Sequence, residues 1–537
     1  MRGATHARWA VCAAAVTLAA TGCAGAGGAG ADTTAVLSSS WADPQNPLEP
    51  ANTNEVQGGK VLDMIFRNLK RYDPETGKAE DMLAERIETS DARNYTITVK
   101  DGWTFSNGEK VTSKSFVDAW NYGASLENGQ KNAYFFQYIE GYDKTHPSGG
   151  KQSADTLSGL KVVDDRTFTV RLSQKFSGFP DTLGYNAFAP LPRAFFTDHA
   201  GWLRKPVGNG PYVIESYTKG SQMELRTWQD YPGPDKARNG GVTLKVYTDN
   251  NTAYTDLMAG NLDLVDDVPA SQLKNVKNDL GDRYLNTPAG IIQTLAFPYY
   301  DPRWNTPGSA KVRTGLSRAI DREQITRTIF QNTRTPATDW TSPVLGADGG
   351  YKAGLCGDAC EYDPAAARKL IEEGGGLPGG RLTITYNADS GSHKQWVDAV
   401  CNSINNALGK DEACVGNPVG TFADFRNKIA QRKLSGPFRA GWQMDYPLIQ
   451  NFLQPLYYTN ASSNDGKWSD EEFDRLVDEA NAGQGVETFQ RAEEVVRDNM
   501  AAIPLWYQNG SAGYSQRLSD VRLNAFSVPV YDEIKVS

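Results

Sequence analysis

Hydrophobic and polar positions alternate with period two in three short stretches: Tyr95 to Val99 (YTITV), Thr167 to Leu172 (TFTVRL) and Leu382 to Tyr386 (LTITY). In an extended chain successive side chains point to opposite faces, so each stretch reads as a half-buried strand. Other stretches carry helix punctuation. Asp363 and Pro364 supply an N-cap and a first-turn proline for a helix over Ala365 to Glu373, and Gly374 to Gly376 stop it. Ser469 is the expected cap of a helix over Asp470 to Ala480, whose acidic first turn suits the helix dipole. Glu487 to Met500 reads as the next helix, ended before Pro504. Strand and helix signals alternate along the whole chain without an internal repeat, so the expected fold class is α/β.

The N-terminus changes the picture. Arg2 and Arg8 precede an apolar run, Trp9 to Ala20 (WAVCAAAVTLAA), that is long enough for a signal-peptide core. It falls short of the about 20 residues that span a bilayer. The run ends in Ala20-Thr21-Gly22-Cys23, small residues before a cysteine, as lipoprotein processing requires; an ordinary secretory signal with a chance cysteine is the alternative. Residues 1–22 are therefore expected to be a lipoprotein signal, Cys23 the lipidated residue, and 23–34, rich in glycine and alanine, a flexible tether. The expected location is outside the cell, anchored by lipid to the outer face of the cytoplasmic membrane.

Cleavage before Cys23 leaves 515 of the 537 residues, too many for one hydrophobic core, so two or more lobes are expected. The net charge moves from −9 to −11, because Arg2 and Arg8 are the only charges lost. An acidic chain with no block of basic residues argues against nucleic acid as a partner. Of six cysteines, Cys356, Cys360, Cys401 and Cys414 remain free to pair in the body of the protein. Three pairings are open; the economical one is Cys356 with Cys360 and Cys401 with Cys414, as disulfides of an oxidising compartment. A four-cysteine zinc site is the rival, but these spacings lack the paired C-x2-C knuckles.

Signatures of catalysis do not appear. Three histidines follow the signal (His146, His199, His393) with no H-E-x-x-H, and no G-x-S-x-G elbow or P-loop occurs. A carboxylate pair of the glycosidase kind is not visible as a motif in sequence, so an exported hydrolase stays as a remote alternative. No cofactor and no metal site are expected.

Four stretches call for a common explanation: Leu69 to Gly77 with Met82 to Glu85 and Tyr95 to Val111; Pro206 to Tyr212 (PVGNGPY); Val312 to Glu323 (VRTGLSRAIDRE); and Arg439 to Pro447 (RAGWQMDYP). In order and spacing they resemble the oligopeptide- and dipeptide-binding proteins of ABC importers, the family 5 solute-binding proteins, from about Trp41 to the C-terminus. Three of the stretches read as structural. Lys100 to Gly108 is a hairpin turn, Gly208 and Gly210 allow a tight turn before a strand, and Arg313, Arg318 and Arg322 form the solvated face of one helix.

The resemblance implies a two-lobed periplasmic-binding architecture of type II, large class: 35–285 with 505–537 as lobe one, an inserted subdomain near 62–180, and 286–504 as lobe two. It implies no enzyme but a binder of oligopeptides, or of another small solute such as a sugar or metal chelate. Such a binder would act as a monomer and deliver its ligand to the permease subunits. Arg439, Gly441, Trp442 and Gln443 would lie on a strand whose backbone pairs with an extended ligand. Asp445 would hold the ligand's α-ammonium, and Arg439 would meet a carboxylate. Asn54 and Val56 would contribute from the first lobe and Tyr134 from the insert. Gln443 and Met444 stand where relatives often have small residues, which would narrow the first pocket.

Overall fold

The alternating stretches and others like them assemble into one mixed sheet of eleven strands. In chain order these are β1 (Val36–Trp41), β2 (Tyr212–Thr218), β3 (Gln222–Thr227), β4 (Gly241–Val246), β5 (Leu264–Val265), β6 (Tyr284–Ala296), β7 (Arg334–Pro336), β8 (Leu382–Asn387), β9 (Cys414–Val419), β10 (Phe438–Gln443) and β11 (Ala502–Tyr514). The structure is a computed structural model that describes residues 33–388 and 392–537. The signal segment, Cys23 and nearly all of the tether lie outside the described residues. Across the sheet the order is β9, β8, β10, β6, β11, β5, β1, β4, β3, β2, with β7 also paired to β11. A separate antiparallel sheet takes Ala84–Glu88, Asn94–Val99, Thr167–Arg171 and Leu160–Val162 in that spatial order.

Two of the strands are long. β6 and β11, of 13 residues each, run antiparallel from Tyr284 opposite Gly513 to Ala296 opposite Ala502. They link two large apolar cores. One core gathers buried residues from Leu37 to Leu264 together with Leu518 to Val536; the other runs from Ile292 to Tyr507. The pairing of β6 with β11 slips between Pro288 and Ile291, a bulge at Ala289 and Gly290. Gly290 is needed there: a Cβ would sit 2.4 Å from Met444 Sδ. Its carbonyl accepts the Met444 N–H at 2.9 Å, and its own N–H donates to Ala525.

The helices that matter for the site and for the cores are α1 (Val56–Ile65), α2 (Ser309–Arg318), α3 (Arg322–Thr328), α4 (Ile449–Tyr457) and α5 (Val486–Asn499). The helix Pro364–Glu373 starts on Asp363, whose carboxylate accepts from the N–H of Ala365 and Ala366, as its sequence predicts. The helix Glu471–Glu479 starts one residue later than expected. Asp470, not Ser469, caps it, because the Asp470 carboxylate accepts from Phe473 N–H while the Ser469 hydroxyl is bonded to Thr459.

Two structural readings need correction. Arg313, Arg318 and Arg322 do not share a solvated helical face. The chain breaks between α2 and α3, and Arg313 and Arg322 are buried. Arg313 donates to the carbonyls of Met500, Trp304 and Asn499. Arg322 donates to Pro504, Ser317 and Cys360. Each guanidinium, with five donors, replaces its lost hydration by backbone carbonyls and pins a helix to distant chain. The second correction concerns Gly208 and Gly210, neither of which has positive φ. They are small because the chain presses on the C-terminal end of α1: a Cβ on Gly208 would lie 1.9 Å from Ile65 O.

The four remaining cysteines pair as Cys356–Cys360 and Cys401–Cys414, with Sγ–Sγ distances of 2.07 and 2.09 Å. No helix among the described residues is long and apolar enough to cross a membrane, and none of their His, Cys, Asp and Glu side chains form a metal-sized group.

Candidate functional site

Strand β10 carries the motif Arg439 to Gln443, and its two edges differ. One edge pairs with β6 along its whole length, from Phe438 opposite Ala296 to Gln443 opposite Ile291. On the other edge, among the described residues, only Phe438 is paired, with Thr385 of β8. Beyond Arg439, the edge from Ala440 to Gln443 has no strand partner among the described residues, in the middle of an eleven-stranded sheet, and Gly441 is exposed there. An unpaired strand edge presents a row of N–H and C=O groups to any extended chain beside it.

Asp445 stands two residues beyond the end of this strand. Its backbone N–H donates to Asn451 Oδ1 at 2.8 Å, and Asn451 Nδ2 donates back to its carboxylate at 3.1 Å. The same Asn451 Oδ1 accepts from Trp442 Nε1 at 3.0 Å. One fully buried asparagine on α4 thus fixes both the last aromatic of the strand and the acid that follows it. No ion pair to Asp445 exists among the described residues. Burial pushes its carboxyl up to about 7, with the Asn451 hydrogen bond acting in the opposite direction. Sequence reasoning missed Asn451, since nothing in its local pattern separates it from any helical asparagine.

Four cavities meet this segment. A cavity of about 240 Å³ is lined by Asn54, Val56, Gln443 and Asp445, with Tyr185 among its walls. A chamber of about 310 Å³ is lined by Tyr134, Asp445 and residues of α4. A third, about 200 Å³, takes Arg439, Gly441 and Trp442. The fourth, about 270 Å³, touches the segment at Gln443 and is lined also by Val56 and Gln508. Of the sequence-predicted residues, Arg439, Gly441, Trp442 and Gln443 fall along one strand, while Asn54, Val56 and Tyr134 come from elsewhere in the chain, and Asp445 and Arg439 do not share a cavity. Arg439 Nε donates to Asn387 at 2.8 Å, and its guanidinium lies 5.1 Å from the ring centre of the exposed Phe422 and 5.3 Å from that of Phe425. Val56 opens α1 and is exposed toward the first cavity. The Met444 side chain is buried over Gly290, and Gln443 Nε2 reaches across to the carbonyl of Phe526 at 3.0 Å.

Chemically the arrangement offers an open main-chain edge ending at an unpaired carboxylate, with an aromatic-flanked cation further along. Among the described residues it holds no activated nucleophile and no acid–base pair around a common point. A sequence model described as bacterial extracellular solute-binding proteins, family 5, matches residues 78–464. The oligopeptide-binding protein OppA of Bacillus subtilis is 25% identical over 500 residues, 88% of each chain. A probable deoxycholate-binding periplasmic protein of Escherichia coli is 24% identical over 473 residues, 86% of each. Among solved structures, Haemophilus influenzae OppA in complex with the peptide RPPGFSPFR superposes with a TM-score of 0.75 at 20% identity, covering 94% of this chain and 99% of that one.

Proposed function

Because the chain belongs to the family 5 extracellular solute-binding proteins, which bind rather than catalyse, we propose that it captures oligopeptides and passes them to the permease of an ABC importer. The observation that carries this reading is the open edge of β10 with Asp445 at its end. A peptide laid along Ala440 to Gln443 completes the backbone hydrogen bonds by strand addition, which is indifferent to side chains. Its α-ammonium reaches Asp445, and Arg439 faces a carboxylate or acidic side chain further along. Asn54 and Val56 close the cleft from the first lobe and Tyr134 from the insert. The lobes at 35–285 with 505–537 and at 286–504, and the insert near 62–180, belong to the same proposal, and the two apolar cores support them. So do export, lipid on Cys23 holding a monomer at the outer face of the membrane, and ligand-driven closure about the β6–β11 ribbon.

The test is a double-mutant cycle by calorimetry, with tetra-alanine and its N-acetylated form against the wild type and Asp445→Ala. Stripping one partner from a buried ion pair costs about 3–5 kcal/mol, roughly a hundredfold to a few thousandfold in Kd. Each single change is expected to weaken binding on that scale, and the two together little more than either, since both break one contact. Full additivity, or wild-type affinity in the variant, removes Asp445 from the site. A second reading, a non-peptide solute in the same cleft, is favoured by the similarity to the probable deoxycholate-binding protein. Native mass spectrometry of co-purified ligand separates the two.

A further inference from the structure

Behind Asp445, on the side away from Asn54 and Val56, lies the 310 Å³ chamber between the insert and α4. Asp445 is the one residue that lines both this chamber and the strand-edge cavity. Between the two stands a ring stack: Phe135 lines the chamber, Tyr185 lines the cavity, and their centroids are 4.1 Å apart. A group bonded to Asp445 therefore sits at a doorway. A peptide whose ammonium rests there sends its main chain along β10 and has its first Cα, with the first side chain, at the mouth of the chamber.

The chamber's lining is selective. Apart from Asp445 it contains no Lys, Arg, Asp or Glu. Tyr134, Tyr138, Tyr446 and Tyr458 give it aromatic walls, and burial pushes the phenols of all four up, so they stay neutral at physiological pH. Its floor is a buried chain of hydrogen bonds spaced four residues apart, running from Tyr446 before α4 to Gln450 and Gln454 on it. Tyr446 donates to Gln450 Oε1 at 2.7 Å, and Gln450 donates to Gln454 Oε1 at 2.6 Å, which also accepts from Asn481. Gln454 is about nine-tenths buried, and its Nε2 group donates to no atom among the described residues. That Nε2 group, on a residue that lines the chamber, is free to donate to an acceptor placed there.

Building on the peptide reading, we propose that this chamber selects the ligand's first residue, and that it takes an uncharged aromatic side chain ending in a hydroxyl, as in tyrosine. The rings supply flat apolar contact, and Gln454 supplies a donor to the phenol oxygen. A charged first side chain would lose its hydration with no counter-charge to meet it, because Asp445 is already engaged by the ammonium.

The experiment titrates five tetrapeptides by calorimetry: tetra-alanine and its variants with Tyr, Phe, Lys or Glu at the first position. Wild type is compared with Ser173→Trp, which fills the chamber from its exposed rim, and with Gln454→Leu. Burying an aromatic ring predicts that the Tyr-first peptide binds roughly tenfold to a hundredfold tighter than tetra-alanine, with Phe-first between them and Lys-first and Glu-first weakest. Ser173→Trp is expected to erase the Tyr advantage while leaving tetra-alanine within about twofold; Gln454→Leu is expected to bring Tyr-first down to Phe-first. Equal affinities across the panel, or a Tyr advantage that survives Ser173→Trp, overturn the chamber's role and leave the peptide reading standing. Failure of all five peptides to bind the wild type overturns both.

Discussion

At Asp445 the protein holds a carboxyl lifted by burial to about 7, beside the strand edge where the proposed peptide's α-ammonium, of pKa about 7.7–8.0, would dock. In the ligand-free protein at pH 6 the group is therefore mostly protonated, and the bound ammonium requires it charged. Binding at pH 6 is expected to release close to one proton per peptide. Affinity should rise as pH climbs through 7 and fall again once the free amine loses its proton. Calorimetry in two buffers of different ionisation enthalpy measures this; an N-acetylated peptide serves as the control that releases none. Proton release independent of acetylation would place the titrating group elsewhere. Asp445 was legible in the sequence because its motif is contiguous, Arg439 to Pro447. Asn451, which orients it, was not, because its role arises from how the turn after β10 folds back on α4. Arg313 and Arg322 show the converse. Their spacing suggests a helix surface, yet a break between two helices and carbonyls nearly two hundred residues away turn both inward.

The signals that proved reliable for elements were those contained within the element. Asp363 and Pro364 start a helix wherever it packs, and the three alternating stretches became strands with ends shifted by at most one residue. What the pattern of β10 could not reveal is that, among the described residues, Ala440 to Gln443 pair with a strand on one side alone, since strand pairing is decided by chain far away in sequence. The contact of Gly208 with α1 is equally non-local, and it yields a prediction. Gly208→Ala drives a methyl into the Ile65 carbonyl, and overpacking of this kind costs about 1–3 kcal/mol, occasionally more. Gly59→Ala within α1 meets nothing within 4 Å and should stabilise by about 0.5–1 kcal/mol through helix propensity. Urea unfolding of ligand-free protein compares the two. A neutral Gly208→Ala would show that α1 yields freely to the loop.

For the whole molecule, the resemblance read from sequence anticipated the two-lobed α/β class, while the continuous hydrogen-bonded sheet that joins its cores had no sequence signature. The proposed anchor is testable at this scale. Replacing Cys23 by serine should move the protein from the membrane fraction to the medium with ligand affinity unchanged, and retention at the membrane would remove lipid from the account. The bulge at Ala289 and Gly290 has a mechanical meaning for delivery. Met444, the residue before Asp445, hangs by its N–H from the Gly290 carbonyl of the ribbon that links the two cores, while its side chain packs into the second core. If the proposed delivery to a permease pries the cores apart, the ribbon would bend where its register already slips. On the proposed peptide reading the carboxylate would then be drawn off the ligand's leading amine before the rest of the chain was unzipped from β10, so cargo would leave head first, and opening and letting go would be one movement.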